Sequence, residues 1–129
     1  MRVGLDRVWV GCGALAGISA VAMAAAAAHG PVPDSLTPAA LQQLRNGIQM
    51  HGWHALALFG TGIWAPRGGR LADAAGVAFV LGLLAFCGAV YGLVLGGLHM
   101  AALAPTGGLL LMAGWLLLGL SAIRAPRVR

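Results

Sequence analysis

The chain has 129 residues, of which 60% are hydrophobic and only 9% are charged. An average soluble domain carries about 25% charged residues, so this composition excludes a soluble enzyme and a disordered tail. Two cysteines are too few for a disulfide scaffold. The net charge of +5 would indicate a nucleic-acid partner only if the basic residues formed one face, but the arginines lie scattered between apolar stretches. We therefore predict an integral membrane protein whose surroundings are the lipid bilayer.

Four apolar stretches are long enough to span a membrane, which takes about 20 residues of helix. They cover residues 8–28, 48–65, 72–97 and 105–123, within a single transmembrane domain of residues 1–129. The connections on either side of the third stretch are so short that they can join only antiparallel neighbours. The sequence thus predicts an all-α fold, a transmembrane four-helix bundle with up-down topology.

The first stretch has an alternative interpretation as a cleaved secretory signal. Arg2 and Arg7 precede it, and the alanines at 24–28 resemble a cleavage site. The stretch is, however, as long as a full span. We expect it to be retained as the first helix.

An amphipathic segment leads into the second stretch. Thr37 is suited to cap a helix that begins with Pro38. Apolar residues recur at helical spacing between Leu36 and Ile48, and polar residues occupy the other side. We predict a short amphipathic lead-in at the membrane interface before the second span.

The arginines predict the orientation, because the cytoplasmic ends of spans are enriched in positive charge. With the amino terminus in the cytoplasm, only Arg45 lies outside. The other seven lie inside: Arg2, Arg7, Arg67, Arg70, Arg124, Arg127 and Arg129. Because the number of spans is even, both termini are then cytoplasmic.

Glycines at intervals of four residues predict two helix-packing surfaces. They are Gly13 and Gly17 in the first span, and Gly88, Gly92 and Gly96 in the third. Small residues let helix backbones approach closely, and such contacts drive helix association in lipid. The alternative is that glycine is simply abundant in this chain.

Under the predicted orientation all four histidines lie in the outer half of the bundle. They are His29, His51, His54 and His99. Our first interpretation is that these side chains are hydrogen-bonded without a ligand. The alternatives are a metal or haem site, with the metal unknown, and proton chemistry. No HExxH, CxxC or CxxCH motif indicates a cofactor, so we predict none.

Two further side chains complete the candidate polar site. Tyr91 lies at a depth similar to that of His54, and we predict a hydrogen bond between the two, directly or through one water. Trp115 lies near the middle of the fourth span, so its indole N–H needs an acceptor inside the bundle.

Several short motifs follow one another in an order typical of one family. They are His29-Gly30, His54-Ala55-Leu56-Ala57-Leu58, Phe86-Cys87-Gly88-Ala89-Val90-Tyr91, Pro105-Thr106-Gly107-Gly108 and Ala113-Gly114-Trp115. Through them nearly the whole chain resembles the YgdD-like family, catalogued as domain of unknown function 423. The resemblance implies a small four-span protein of the bacterial inner membrane with no established activity.

The resemblance also implies which polar positions the chain shares with that family. They are His29, His54, Tyr91 and Trp115, and the match at the first of them implies that the first span is retained. His51 and His99 depend on the spacing argument alone. Cys87 and Ala89 stand where the family usually has serines, so a polar network built on those hydroxyls is not expected here.

The absence of hydrolytic and phosphoryl-transfer motifs predicts that the protein is not an enzyme, and an enzyme acting on a lipid is the weakest alternative. We expect a structural or accessory membrane component that packs against itself or a larger complex through its glycine-rich faces. The main alternative is a protein that binds or transports a metal, haem or a small hydrophobic ligand such as quinone or lipid. The outer-side histidines would then hold the ligand.

Overall fold

The structure is a computed structural model that describes residues 4–125. Within that range the regular structure consists of four helices: α1 (Leu5–Ala28), α2 (Pro31–Ser35), α3 (Pro38–Gly96) and α4 (Leu103–Arg124). The all-α prediction is thereby confirmed for the described residues. Three of the arginines used to predict the orientation, Arg2, Arg127 and Arg129, lie outside them.

Three helices of the described range are long and apolar enough to cross a membrane. α1 has 24 residues and α4 has 22, and at about 1.5 Å per residue each exceeds the hydrocarbon core of about 30 Å. α3 has 59 residues. As a straight rod it would extend for about 90 Å, which is about three times that thickness.

α3 is interrupted at Gly69, where the chain reverses. The backbone there has φ 66° and ψ −149°, a combination essentially confined to glycine because other residues carry a Cβ. Residues 38–68 form a first arm and residues 70–96 a second arm. The arms pack side by side, since a Cβ added at Gly47 would lie 2.8 Å from Val90 Cγ1. The first and second arms therefore correspond to the second and third predicted stretches, joined by the turn at Gly69.

We name the two ends of the molecule after the Gly69 turn and after α2. The Gly69 end also carries the start of α1 and the end of α4, because Gly62 contacts Asp6, and Trp64 bonds to Ser121. We call the opposite end, where α2 lies, the α2 end.

The first arm begins as the sequence predicts. Thr37 has extended backbone angles, and its Oγ1 accepts a hydrogen bond from the backbone N–H of Ala40 at 3.2 Å. Leu44 is fully buried, whereas Gln42 and Asn46 are exposed and joined by a 2.9 Å hydrogen bond. The amphipathic lead-in is therefore the beginning of a helix that continues without a break into the second predicted span.

α1 packs against α3 through backbone contacts at glycine. A Cβ added at Gly13 would lie 2.7 Å from the backbone nitrogen of Phe59, and one at Gly62 would lie 2.7 Å from the carbonyl oxygen of Asp6. Lipid tails are as apolar as side chains, so close packing of this kind takes the place of hydrophobic burial in membranes. Glycine at these two positions lets α1 lie directly on the first arm.

α4 packs against both arms along one seam of buried residues. The seam consists of Gly107, Leu111, Gly114 and Ser121, with the spacing of three, four and seven residues that is typical of a left-handed helix pair. Phe79 of the second arm covers Gly114, where an added Cβ would lie 2.6 Å from Cδ1 of the ring. Trp64 of the first arm donates its indole N–H to Ser121 Oγ at 2.9 Å.

The outer surface of the packed helices is strongly apolar. Leu15, Val21, Leu56 and Ile123 each expose at least 70% of their surface. Large contiguous apolar surfaces are rare on soluble monomers. They are what lipid-facing helices present to a bilayer.

Candidate functional site

A cleft of about 550 Å³ opens between α1 and the second arm of α3. Leu15 and Leu84 line it and are 70% and 68% exposed, so it opens sideways onto the lipid-facing surface. Leu58 of the first arm closes its back. The lining comprises Cys12, Leu15, Ala16, Leu58, Val80, Leu83, Leu84, Cys87 and Gly88, together with Ser19, His51 and Tyr91 toward the α2 end.

Trp9 holds α1 against the second arm at the Gly69 end of this cleft. Its ring covers Gly76, where an added Cβ would lie 2.5 Å from Cδ2. Its indole N–H donates to Asp73 Oδ1 at 3.0 Å. From there the cleft extends along α1 from Cys12 to Ser19, which at 1.5 Å per residue is about 10 Å.

Three polar side chains from three helical segments meet at the α2 end of the cleft. His51 Nδ1 lies 2.9 Å from Tyr91 Oη, and His51 Nε2 lies 3.1 Å from Ser19 Oγ. The Ser19 hydroxyl also lies 3.0 Å from the carbonyl oxygens of Leu15 and Ala16 in its own helix. The imidazole therefore bridges α1 and the second arm. The cleft has an apolar body and one hydrogen-bonding end.

The predicted hydrogen bond between His54 and Tyr91 is wrong, because Tyr91 bonds to His51 instead. Three residues of helix turn by about 300°, so His51 and His54 project about 60° apart around the first arm. His51 lies on the cleft side, whereas His54 lies on the side that α4 covers.

His54 is hydrogen-bonded through both of its ring nitrogens. It is 3% exposed, with Nδ1 2.7 Å from the carbonyl oxygen of Met50 and Nε2 3.1 Å from the indole nitrogen of Trp115. A carbonyl only accepts and an indole N–H only donates, so the proton sits on Nδ1 and Nε2 is the acceptor. Trp115 thus has the internal acceptor that its depth in the span requires. His54 could bind a metal only by giving up one of these bonds.

His29 and His99 lie apart from both hydrogen-bonded groups. Both are exposed, and His99 Nδ1 lies 3.1 Å from the carbonyl oxygen of Gly97. Among residues 4–125, no three His, Cys, Asp or Glu side chains come together as a metal site. The histidines therefore divide into one in the cleft, one beneath α4 and two at exposed positions.

The five glycines predicted to pack have different surroundings. Gly13 touches the backbone of the first arm, whereas a Cβ added at Gly17 or Gly88 would have no neighbour within 4 Å. Gly88 lines the cleft. Gly92 and Gly96 lie beside the loop that precedes α4, where an added Cβ would lie 3.1 Å from Met100 Cε and 3.7 Å from Leu98 Cγ, respectively.

Sequence reasoning missed Ser19, which is the only side chain with a hydroxyl in α1. A hydroxyl in an apolar span needs a partner, and that signal could have paired Ser19 with a polar residue of the second span. Cys12 and Cys87 are free cysteines. Both line the cleft.

Several known proteins are similar to this chain. Residues 23–108 match the family profile described as Protein of unknown function (DUF423). The UPF0382 inner membrane protein YgdD of Escherichia coli is 30% identical over 118 residues, which cover 88% of each chain. A UPF0382 membrane protein of Haemophilus influenzae is 28% identical, covering 87% of this chain and 90% of its own length. For the UPF0382 membrane protein YwdK of Bacillus subtilis the identity is 29% and the coverage 92% and 98%. No solved structure matches.

Proposed function

Because this chain belongs to the membrane protein family described as DUF423, whose function is unknown, we propose its function from the geometry of the cleft. The protein sits in the inner membrane, as the name of its relative and its long apolar helices indicate. We propose that it binds a small hydrophobic molecule, such as a quinone or a lipid, that enters the cleft from the bilayer. The proposal involves no metal or haem and no reaction.

One observation carries this proposal: the cleft combines an apolar body with a single hydrogen-bonding end. Its volume of about 550 Å³ falls within the range of about 300 to 1,000 Å³ that is usual for small-molecule sites. Such sites are mostly apolar and fix their ligand with a few polar groups. The Ser19, His51 and Tyr91 side chains are those groups here.

The proposal includes a four-helix up-down bundle with both termini in the cytoplasm. The two arms of α3 supply the second and third spans. Arg67 and Arg70 flank the Gly69 turn, Arg7 and Arg124 lie toward the same end, and Arg45 lies near the start of the first arm. This separation of charge supports a cytoplasmic Gly69 end. The polar end of the cleft then lies in the outer half of the membrane.

The cleft can be blocked without disturbing helix packing. Gly88 lines it, and a side chain added there meets no atom within 4 Å, so Gly88→Phe projects a ring into the open space. Gly119→Phe is the matched control, because Gly119 also has no neighbour within 4 Å and lies on the exposed face of α4.

The experiment compares the molecules that copurify with each variant. Protein is extracted with its surrounding lipid into polymer-bounded discs, and the small molecules are identified by mass spectrometry. We expect one hydrophobic species to be enriched over bulk membrane with wild type and Gly119→Phe, and to be lost with Gly88→Phe. Equal profiles in all three would refute ligand binding at the cleft.

A second candidate function is that of an accessory component that packs against itself or a larger complex. Gly17 favours it, because a Cβ added at this glycine of α1 would meet no atom of residues 4–125 within 4 Å, which leaves this position open to another helix. Crosslinking in native membranes tests this candidate with Gly17→Leu as the variant. A crosslinked band that Gly17→Leu removes would support it, and a monomer alone would refute it.

A further inference from the structure

We infer that the molecule bound in the cleft is uncharged and ends in a hydroxyl or a carbonyl group, and that the tautomer of His51 determines which of the two the site accepts. This inference rests on the proposed function, because it concerns the ligand of the same cleft. Two sets of observations carry it. The first is the chemistry of the lining, and the second is the positions of the protons in the hydrogen-bonded group of Ser19, His51 and Tyr91, which we call the polar chain.

The lining offers nothing to balance a charged ligand. None of the described residues that line the cleft is an arginine, aspartate or other permanently charged side chain. An anion could find a counter-charge only if His51 became an imidazolium, and ionised groups are costly at membrane depth. A neutral end group needs no counter-charge. The ligand class is therefore that of neutral hydrophobic alcohols, ketones, quinols and quinones.

In a first arrangement of protons the cleft presents a hydrogen-bond acceptor. The Ser19 hydroxyl donates to the carbonyl oxygens of its own helix at 3.0 Å, so it can only accept from His51 Nε2–H at 3.1 Å. Nδ1 is then bare and accepts the Tyr91 hydroxyl proton at 2.9 Å. Each hydroxyl or imidazole proton of the polar chain then has an acceptor, and the remaining lone pairs of Tyr91 Oη are available to a ligand hydroxyl.

In a second arrangement the cleft presents a donor. The imidazole proton is on Nδ1 and points to Tyr91 Oη, and the Ser19 hydroxyl turns to donate to Nε2. The Tyr91 hydroxyl proton is then directed away from His51, toward a ligand carbonyl. The two arrangements hold the same number of protons: one leaves Nε2, one joins Nδ1, and two hydroxyl groups rotate.

The heavy atoms need not move between these arrangements. The same distances serve both, because a neutral imidazole has one donor and one acceptor nitrogen and a hydroxyl is both donor and acceptor. One site can therefore hold the hydroxyl form and the carbonyl form of a single molecule, such as a quinol and its quinone. The cleft itself is proposed to bind both forms, not to convert them.

Photoaffinity labelling tests the charge selectivity. An alkyl alcohol, a methyl ketone and an alkyl sulfonate of one chain length, each carrying a diazirine, are crosslinked to the protein in lipid discs. Labelling of the peptides that line the cleft is quantified by mass spectrometry. We expect half-maximal labelling by the alcohol and the ketone at concentrations within about tenfold of each other, and by the sulfonate at roughly 100-fold higher concentration.

Removing the Tyr91 hydroxyl should reduce this selectivity from about 100-fold to about tenfold. Tyr91→Phe keeps the ring and removes the hydroxyl that faces the ligand, so the alcohol and the ketone should each need about tenfold more for half-maximal labelling. The sulfonate should be unaffected. Gly119→Phe again serves as the control, and all three should label it as they label wild type.

The tautomer of His51 can be read directly by nitrogen NMR of histidine-labelled protein, with the signal assigned by its loss in His51→Phe. We expect the alcohol to hold the Nε2–H form and the ketone to raise the population of the Nδ1–H form. A tautomer that is the same with both molecules would refute the role of His51.

The outcomes for the ligand class separate from those for the cleft. If all three compounds label wild type equally and Gly88→Phe abolishes the labelling, the cleft binds ligands but the inference about charge is wrong. If no compound labels the cleft peptides of wild type, both the inference and the proposed function fail.

Discussion

The contact between α1 and the first arm of α3 allows us to predict how alanine substitutions at Gly13 and Gly17, which lie one helical turn apart, change the free energy of unfolding. A Cβ added at Gly13 would lie 2.7 Å and 3.1 Å from the backbone N and Cα of Phe59, and 2.9 Å from the carbonyl oxygen of Ala55. These are backbone atoms, so no side chain can rotate away. A Cβ added at Gly17 would meet nothing within 4 Å.

The two substitutions Gly13→Ala and Gly17→Ala share every effect except this contact. At either position, replacing glycine by alanine in a helix interior stabilises the helix by about 1 kcal/mol through its higher helix propensity. Forcing a methyl group into a packed contact costs about 1 to 3 kcal/mol. We therefore expect Gly17→Ala to be as stable as wild type or up to about 1 kcal/mol more stable, and Gly13→Ala to lie about 1 to 3 kcal/mol below Gly17→Ala.

The free energy of unfolding can be measured for both variants in mixed micelles, with a denaturing detergent as the titrant and helix content as the signal. The difference between the variants removes the common effect of helix propensity. Equal stability of Gly13→Ala and Gly17→Ala would refute a direct contact between α1 and the first arm at this position.

Two further predictions concern α4. In a double-mutant cycle with His54→Leu and Trp115→Phe, we expect a coupling of about 0.6 kcal/mol, the average for hydrogen bonds between membrane helices; a coupling of zero would show that the 3.1 Å bond contributes nothing. Gly107→Ala should be destabilising, because its Cβ would meet the backbone N and Cα of Phe86, whereas Gly108→Ala has nothing within 4 Å and should not be. Thermal unfolding of the two glycine variants in detergent compares them directly. A lower midpoint for Gly108→Ala than for Gly107→Ala would contradict the packing of Gly107 against Phe86.

The sequence predicted those parts of the fold that depend on local chemistry. The apolar stretches gave the helices, and Thr37 before Pro38 gave the start of α3, because a cap is a contact within one turn. The polar partners depend on how each helix is rotated about its axis. His51 and His54 are three residues apart, so they lie at similar depths in the membrane and differ mainly in the direction in which they project. Depth alone therefore paired Tyr91 with His54 instead of His51.

The glycines show the same limit. Regular spacing singled out Gly88, but that spacing cannot say whether a glycine faces a helix, a cleft or lipid, and this one lines the cleft. The buried seam of α4 includes Gly107 and Gly114, which are seven residues apart. A search for small residues at intervals of seven, in addition to four, would have found it. The cleft itself forms between residues of α1 and α3 that are far apart in the sequence, which no local pattern records.

Among residues 4–125, the polar chain and the cleft use side chains of α1 and α3 alone. A ribosome therefore completes every described residue of the cleft when it has added Tyr91, before any of α4 has been made. The last helix then closes over His54 and joins Trp64 through Ser121 on the other side of α3. During synthesis the nascent chain therefore passes through a stage in which every described residue of the cleft is present but the helix that covers His54 is not.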